Sequence, residues 1–329
     1  MTKTILFLIY PEIQPIDIAG PMQAFITADE EAGGDAYRVR VASLRRGAVA
    51  LAGAAAILAE ALPRRSPDTL VVPGGPGVHA ARANAAYVAA TRRMARDARR
   101  VCSVCTGAFL LASSGLLDGR AVATHWRACD QLAAEFPRLS VRSDPIWVRD
   151  GAIWTSAGVT AGIDLALALI EADLGAALAL RVARRLVVPM RRSGGQSQHS
   201  ELLALQGASQ FGPLLEWMAA NLSRALTTDV LAERAGMTPR SFHRHFLAQT
   251  GTTPAEAVER LRLDRARSLL DVMRLPLTAV SEQAGFGSVE RLRRAFKRRF
   301  GVSPRDYDGR AAGRPERRAR IAAHPQPLA

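Results

Sequence analysis

The sequence predicts an α/β protein in two parts: an amino-terminal, mostly parallel sheet sandwiched by helices, then an all-α region with two helix-turn-helix motifs. Three observations carry the prediction. Residues 4–174 alternate short β-branched or apolar runs with helical patterns, as parallel strands joined by crossover helices do. Residues 226–307 contain one short pattern twice, "LAERAGMTPRSFHRHFLAQTGTTP" and "VSEQAGFGSVERLRRAFKRRFGVSP". Charge is the third: residues 1–180 carry 18 Arg or Lys against 17 Asp or Glu. Nearly all of the net charge of +14 therefore lies beyond residue 180, where phosphate contacts would need it.

The first strand is "TILFLIY"; its apolar run stops at Pro11 without a small-residue cleavage site, so it reads as a strand and not a signal peptide. "PEIQPIDIAG" follows as a polar, Gly-containing stretch carrying Asp17, with a helix expected over 21–32. The next strands are "YRVRVASL" and "TLVV", the latter running into Pro73, Gly74, Gly75, Pro76 and Gly77. Helical patterns over 87–98 and 106–114 flank the strand "VCSV", which leads into Cys105, Thr106 and Gly107. Polar and Gly-rich residues thus collect at the carboxyl ends of strands, where such sheets bind ligands.

A strand running into Cys-Thr-Gly and then a helix is a nucleophile-elbow layout. The helix amino terminus is expected to lower the Cys105 thiol pKa and favour thiolate. Backbone N–H groups of the Gly74-Gly75 loop, beside that of Thr106, would form an anion-binding nest. The candidate pocket residues are therefore Cys105, Asp17, Thr106, Gly74, Gly75 and His125. His125, expected on the next strand, reads as a structural or ligand-contacting group ahead of a catalytic base, because closeness in pattern is not hydrogen-bond reach. Trp126 beside it fits core or pocket wall. Cys102 and Cys129 read as buried small hydrophobes. No His spacing matches a metal site, so neither a metal nor a cofactor is expected.

In the second part, Gly236 and Gly285 lie 49 residues apart, and Gly251 and Gly301 lie 50 apart, so the copies differ by one residue inserted in the turn. The Gly ending each first helix suits a left-handed C-cap, and Thr238 or Ser288 can cap the helix that follows. Phe242 and Phe246 share a buried face, as do Leu292 and Phe296, which turns the polar residues outward. The candidate DNA-contacting residues are Arg240, Ser241, His243 and Arg244 in the first copy, and Ser288, Glu290, Arg291, Arg294 and Lys297 in the second. A solvated basic helix would explain one copy; two copies in register point to DNA. Between them, 254–273 reads as one helix with a continuous apolar stripe of Ala257, Val258, Leu261, Leu263, Ala266, Leu269 and Leu270. Its length of about 30 Å is close to the ~34 Å between successive major grooves on one DNA face.

Residues 213–308 resemble the DNA-binding domain of the AraC/XylS family, on the closing signature Gly285, Phe286, Phe296, Arg299, Phe300, Gly301, Ser303, Pro304 and Tyr307, with Asp308 where that family usually has Arg. Residues 3–185 are similar to the PfpI-like branch of the class I glutamine amidotransferase superfamily, on "IDIAGPMQAF", "VVPGGPG", "SVCTGAFLLASSGLLDGR", "ATHW" and "TSAGVTAGIDLALALI". That resemblance implies a flavodoxin-like/amidotransferase-like fold, with Cys105 at the elbow, Asp17 near it, and Gly75 and Thr106 as an oxyanion pair. Amide-hydrolysing relatives commonly place His right after the Cys, where this chain has Thr106.

Together the resemblances imply an effector-controlled transcription regulator and not an enzyme: a 1–185 sensor, a 186–212 linker rich in Arg, Gly, Ser and Gln, a 213–311 DNA-binding domain, and a disordered basic tail over 312–329. They imply double-stranded operator DNA, RNA polymerase, a second copy of the chain and a small-molecule effector of the nitrogenous-metabolite class as partners. The rivals are an active cysteine enzyme of the isonitrile hydratase or amidase kind, and a redox sensor at Cys105. Three cysteines give no disulfide framework and no membrane span is legible, so a cytoplasmic location is expected.

Overall fold

The computed structural model describes residues 2–143, 145–188, 210–273 and 275–307, with the backbone alone at 271–273. Its α/β half opens with β1 (Lys3–Leu8), α1 (Pro15–Glu31), β2 (Tyr37–Ser43), β3 (Gly47–Ala50), β4 (Ala56–Ala61) and β5 (Thr69–Val72). There follow α2 (Val78–Ala83), α3 (Ala85–Ala95), β6 (Arg100–Val104), α4 (Gly107–Ser113), β7 (Ala121–Val122) and α5 (Cys129–Glu135). β8 (Ser140–Val141), β9 (Trp147–Asp150), β10 (Ile153–Ser156), α6 (Ala161–Leu174) and α7 (Ala176–Arg185) complete it. Among the described residues the main sheet has eight strands in the order β3-β4-β2-β1-β5-β6-β10-β9. It is parallel except for the β3–β4 and β9–β10 pairs at its two edges, so the predicted mostly parallel sheet is present. The edge pairs were not legible as strands.

The order reverses between β1 and β5. Right-handed crossovers from β1 to β2 and from β5 to β6 run in opposite directions across the sheet, which puts α1 and the α2–α3 pair on opposite faces. The central strands are buried on both faces, and β5 and β6 are buried at every position, with the polar Thr69, Arg100 and Ser103 among their apolar residues. The expected helix over 21–32 begins earlier, at Pro15, which supplies the first turn. Pro21 lies inside it and is buried. A proline there removes one helical N–H, a cost of ~3 kcal/mol, but the two turns around it carry Ile18, Ala24 and Phe25 into the core.

The helical half comprises α8 (Gly212–Ala220), α9 (Thr228–Arg234), α10 (Pro239–Thr250), α11 (Pro254–Met273), α12 (Leu277–Gln283) and α13 (Val289–Phe300). The repeat is borne out in its details. Thr238 Oγ1 accepts from Ser241 N–H at 3.3 Å and Ser288 Oγ from Arg291 N–H at 3.2 Å, while Gly236 and Gly285 follow α9 and α12 with φ of 65° and 82°. Phe242, Phe246, Leu292 and Phe296 are fully buried. The stripe on α11 needs correction, for it is not one seam. Ala257, Val258 and Leu261 enter the core of the first helix-turn-helix, whereas Leu263, Ala266 and Leu269 enter that of the second. At 100° per residue these sets occupy adjacent sectors of the helix, so α11 serves both cores.

The expected linker over 186–212 and tail over 312–329 lie almost wholly outside the described residues. No described helix is long and apolar enough to cross a membrane.

Candidate functional site

Four adjacent parallel strands, β1, β5, β6 and β10, end at the same place, and the loops after them build the elbow. Cys105 follows β6 with φ of 56°, the left-handed region that a tight strand-to-helix turn imposes on a residue with a side chain. Its N–H donates to Ser156 O at 3.0 Å, and the Thr124 hydroxyl donates to its carbonyl at 2.9 Å, so the strained turn is held from both sides. From β10 comes Gly158: a Cβ added there would lie 2.2 Å from Cys105 Cβ, and only glycine allows the approach. From β5 comes the Pro73–Gly75 loop, whose Pro73 carbonyl accepts from Tyr10 Oη at 2.5 Å.

Asp17 arrives from the first turn of α1 and is completely buried. Its Oδ1 accepts from Val159 N–H at 2.9 Å; its Oδ2 is buried and accepts no hydrogen bond of standard geometry among the described residues, with the Cys105 thiol and the Gly74 backbone as its polar neighbours. Burial raises the Asp17 pKa above the ordinary carboxylate value, against the pull of the Val159 N–H.

The same burial reverses the expectation for the thiol. Cys105 is 8% exposed, and desolvation first, then the Asp17 carboxylate, push its pKa up to about 12. Hydrogen bonds from Thr106 act the other way and are outweighed by that burial and by the Asp17 charge. The elbow holds a thiol and not a thiolate.

The nest is also occupied from within. Thr106 Oγ1 accepts from Gly75 N–H at 2.9 Å, so a threonine hydroxyl sits where an oxyanion would have to bind. The close fit of Gly74 against Thr106, with an added Cβ 2.5 Å from its backbone N, packs the two loops together. His125 is not on a strand. It caps a 3-10 turn (Trp126–Ala128) after β7, with Nδ1 accepting from Arg127 N–H at 3.3 Å and its ring stacked on Trp126 at 5.7 Å. Trp126 is exposed and is not core. Sequence reasoning thus found Cys105, Asp17, Thr106, Gly74 and Gly75, which the fold brings together, and missed Gly158 and Val159, whose only signal was the Ala-Gly-Val-Thr turn before α6.

The second candidate site is the exposed face of the two repeated helices. Arg240, His243 and Arg244 on α10 and Glu290, Arg291, Arg294 and Lys297 on α13 are all exposed, as predicted. Ser241 is partly buried and its hydroxyl lies 3.2 Å from His245 Nδ1. Ser288 spends its side chain on the α13 cap. Arg291 and Arg294 also line a cleft against α11 that sequence reasoning missed.

With this geometry in hand, comparisons with known proteins are specific. The family model for the DJ-1/PfpI family matches residues 3–172, and a helix-turn-helix domain model matches residues 231–310. The HTH-type transcriptional regulator GbdR of Pseudomonas aeruginosa is 28% identical over 318 residues, covering 95% of this chain and 86% of its own. An isonitrile hydratase of Pseudomonas putida is 31% identical over 179 residues, covering 53% of this chain and 74% of its own. Among solved structures, a THiJ/PfpI family protein from Pseudomonas syringae matches with a TM-score of 0.53 and 26% identity over 67% of this chain and 87% of that one. The enzyme likeness covers about half of this chain, whereas the regulator likeness covers nearly all of it, and the chain belongs to the DJ-1/PfpI family with an AraC-type helix-turn-helix domain joined to it.

Proposed function

We propose that this chain is a DNA-binding transcription regulator whose DJ-1/PfpI fold binds a small effector and performs no turnover. The observation that supports it best is the pair of capped helices presenting exposed basic side chains on one shared scaffold, in a chain resembling GbdR over 95% of its length. In the elbow, burial and the Asp17 carboxylate push the Cys105 thiol pKa up to about 12, far above neutral pH, which disfavours the thiolate that a cysteine nucleophile needs. Asp17 Oδ2, buried beside the Cys105 thiol and the Gly74 backbone and without a hydrogen bond of standard geometry, is instead the polar atom a bound molecule would satisfy.

On this reading residues 1–185 form the sensor, 186–212 the linker and 213–311 the DNA-binding domain, with 312–329 a basic tail. Arg240, His243, Arg244, Glu290, Arg291, Arg294 and Lys297 meet DNA. The sensor pairs with a second copy, RNA polymerase is the downstream partner, and the setting is the cytoplasm, where the DNA is. The effector class is a nitrogenous metabolite able to donate a hydrogen bond to Asp17.

The test combines two assays on purified full-length protein. Turnover is measured with amide, isonitrile and α-oxoaldehyde substrates, and alkylation of Cys105 is timed at neutral pH. No Cys105-dependent turnover and slow alkylation are expected. Catalysis at about 1 per second or above, lost in Cys105→Ser, would replace this reading by the enzyme; fast peroxide oxidation of Cys105 that alters DNA binding would replace it by a redox sensor.

A further inference from the structure

Between α11 and α13 lies a cleft of about 300 Å³ lined by Glu259, Arg262, Phe286, Arg291, Arg294 and Arg298. On α13 the inner side is marked by Leu292, Ala295 and Phe296. Helical spacing then sets Arg291, Arg294 and Arg298 along one flank, toward α11, while Glu290 and Lys297 stand on the outer face. Arg294 borders both, so the cleft opens directly onto the face proposed to enter a groove.

The cleft is built, not incidental. Arg262 is fixed by donating from Nε to Leu222 O at 3.1 Å and from Nη2 to Arg224 O at 2.9 Å. Gly285, in the turn of the second helix-turn-helix, packs onto the same spot. A Cβ there would fall 1.8 Å from Leu222 O and 2.9 Å from Arg262 Nε, so glycine lets the two halves of the domain meet. Across the cleft, Arg298 Nη2 donates to both Glu259 oxygens, at 2.7 and 2.8 Å. Four guanidinium groups thus face one carboxylate in a small volume. Burial, then the Arg291 charge, lowers the Arg262 pKa, so the cluster is held against its own repulsion.

We propose that this cleft seats a backbone phosphate of bound DNA, with Arg291 as the direct contact, Arg262 and Arg294 completing the positive wall, and Glu259 competing with the phosphate for Arg298. The inference rests on DNA being the partner. A phosphate is the anion that fits, because guanidinium forks pair with its oxygens in bidentate fashion. Phosphates also flank any groove that α13 enters.

The test uses full-length protein and a labelled duplex of scrambled sequence, since phosphate contacts carry no base preference. The logarithm of affinity is measured against that of salt concentration. Arg291→Gln is expected to weaken binding and reduce the slope by about 0.9, the share of one phosphate. Glu259→Gln frees Arg298 and is expected to tighten binding and steepen the slope. A wild-type slope in Arg291→Gln, or weaker binding in Glu259→Gln, would overturn the cleft assignment while leaving DNA binding intact. A wild-type protein with no salt-dependent DNA binding would overturn both. Thermal stabilisation by inorganic phosphate at matched ionic strength, abolished by Arg291→Gln with the DNA slope unchanged, would assign the cleft to a free anion and remove DNA from it.

Discussion

The elbow and the repeated helices use the same device, a turn that delivers side chains to the start of a helix, with opposite results. At Cys105 the turn is roofed by Gly158, closed by Thr106 and backed by Asp17, so the reactive atom is hidden and protonated. At Thr238 and Ser288 the turn only caps the helix, and the arginines beyond it stand in solvent. A thiol that is enclosed suits recognition of a small molecule, and exposed cations suit a polyanion. The difference lies in what packs over the turn, not in the turn itself.

The separate cores beneath the two regions give the comparison its largest test. Phe246→Ala and Phe296→Ala should each destabilise the helical half by about 3–5 kcal/mol, seen as early loss of its hydrogen-exchange protection. Strands β1, β5 and β6 should stay protected, because their apolar side chains belong to another cluster. Simultaneous loss in both halves would mean the regions are one cooperative unit.

On the elbow side, Gly158→Ala should cost about 3 kcal/mol or more, since the new methyl meets the Cys105 backbone and Gly158 has φ of 97°. Denaturant unfolding would read it, and a cost below 1 kcal/mol would show that the roof yields easily.

Much of this was legible because it is local. Caps, paired phenylalanines and the strand-Cys-Thr-Gly run each fit within a dozen residues, and the periods of 49 and 50 residues made the repeat plain. What escaped depends on distant partners. Val159 N–H meets Asp17 across 142 positions, and the resulting enclosure, which turned an expected thiolate into a thiol, cannot be read from the elbow alone. His125 was misplaced because β7 is only two residues long. The division of α11 between two cores follows from Leu263 and Ala266 facing the second repeat, which an apolar stripe by itself does not reveal.

Smaller effects sharpen the contrast. Arg244→Ala should weaken binding to a selected cognate site by roughly 1–3 kcal/mol if the side chain forks onto a base, with little change on scrambled DNA; equal losses on both would reassign it to phosphate. Thr238→Ala and Ser288→Ala should each cost about 1 kcal/mol, by matched amounts if the repeats are equivalent, as chemical denaturation can determine.

The smallest effect is a pH dependence at Asp17. Its folded pKa is raised by burial, so the folded state holds the proton more tightly than the unfolded chain does. The associated stability is present below the ordinary carboxylate pKa and is lost as pH rises through the raised value. Relative to Asp17→Asn, the wild type should therefore lose melting temperature between acidic and neutral pH; a constant difference would mean that Asp17 titrates normally.

The most direct measurement is a hydroxyl-radical footprint of the full-length protein on a site selected from random duplexes. Because α11 holds α10 and α13 on either side of its ~30 Å length, each DNA-binding region should protect two segments about one helical turn, ~34 Å, apart on the same face of the duplex. Protection of a single segment per region, or no protected site at any salt concentration, would contradict the account.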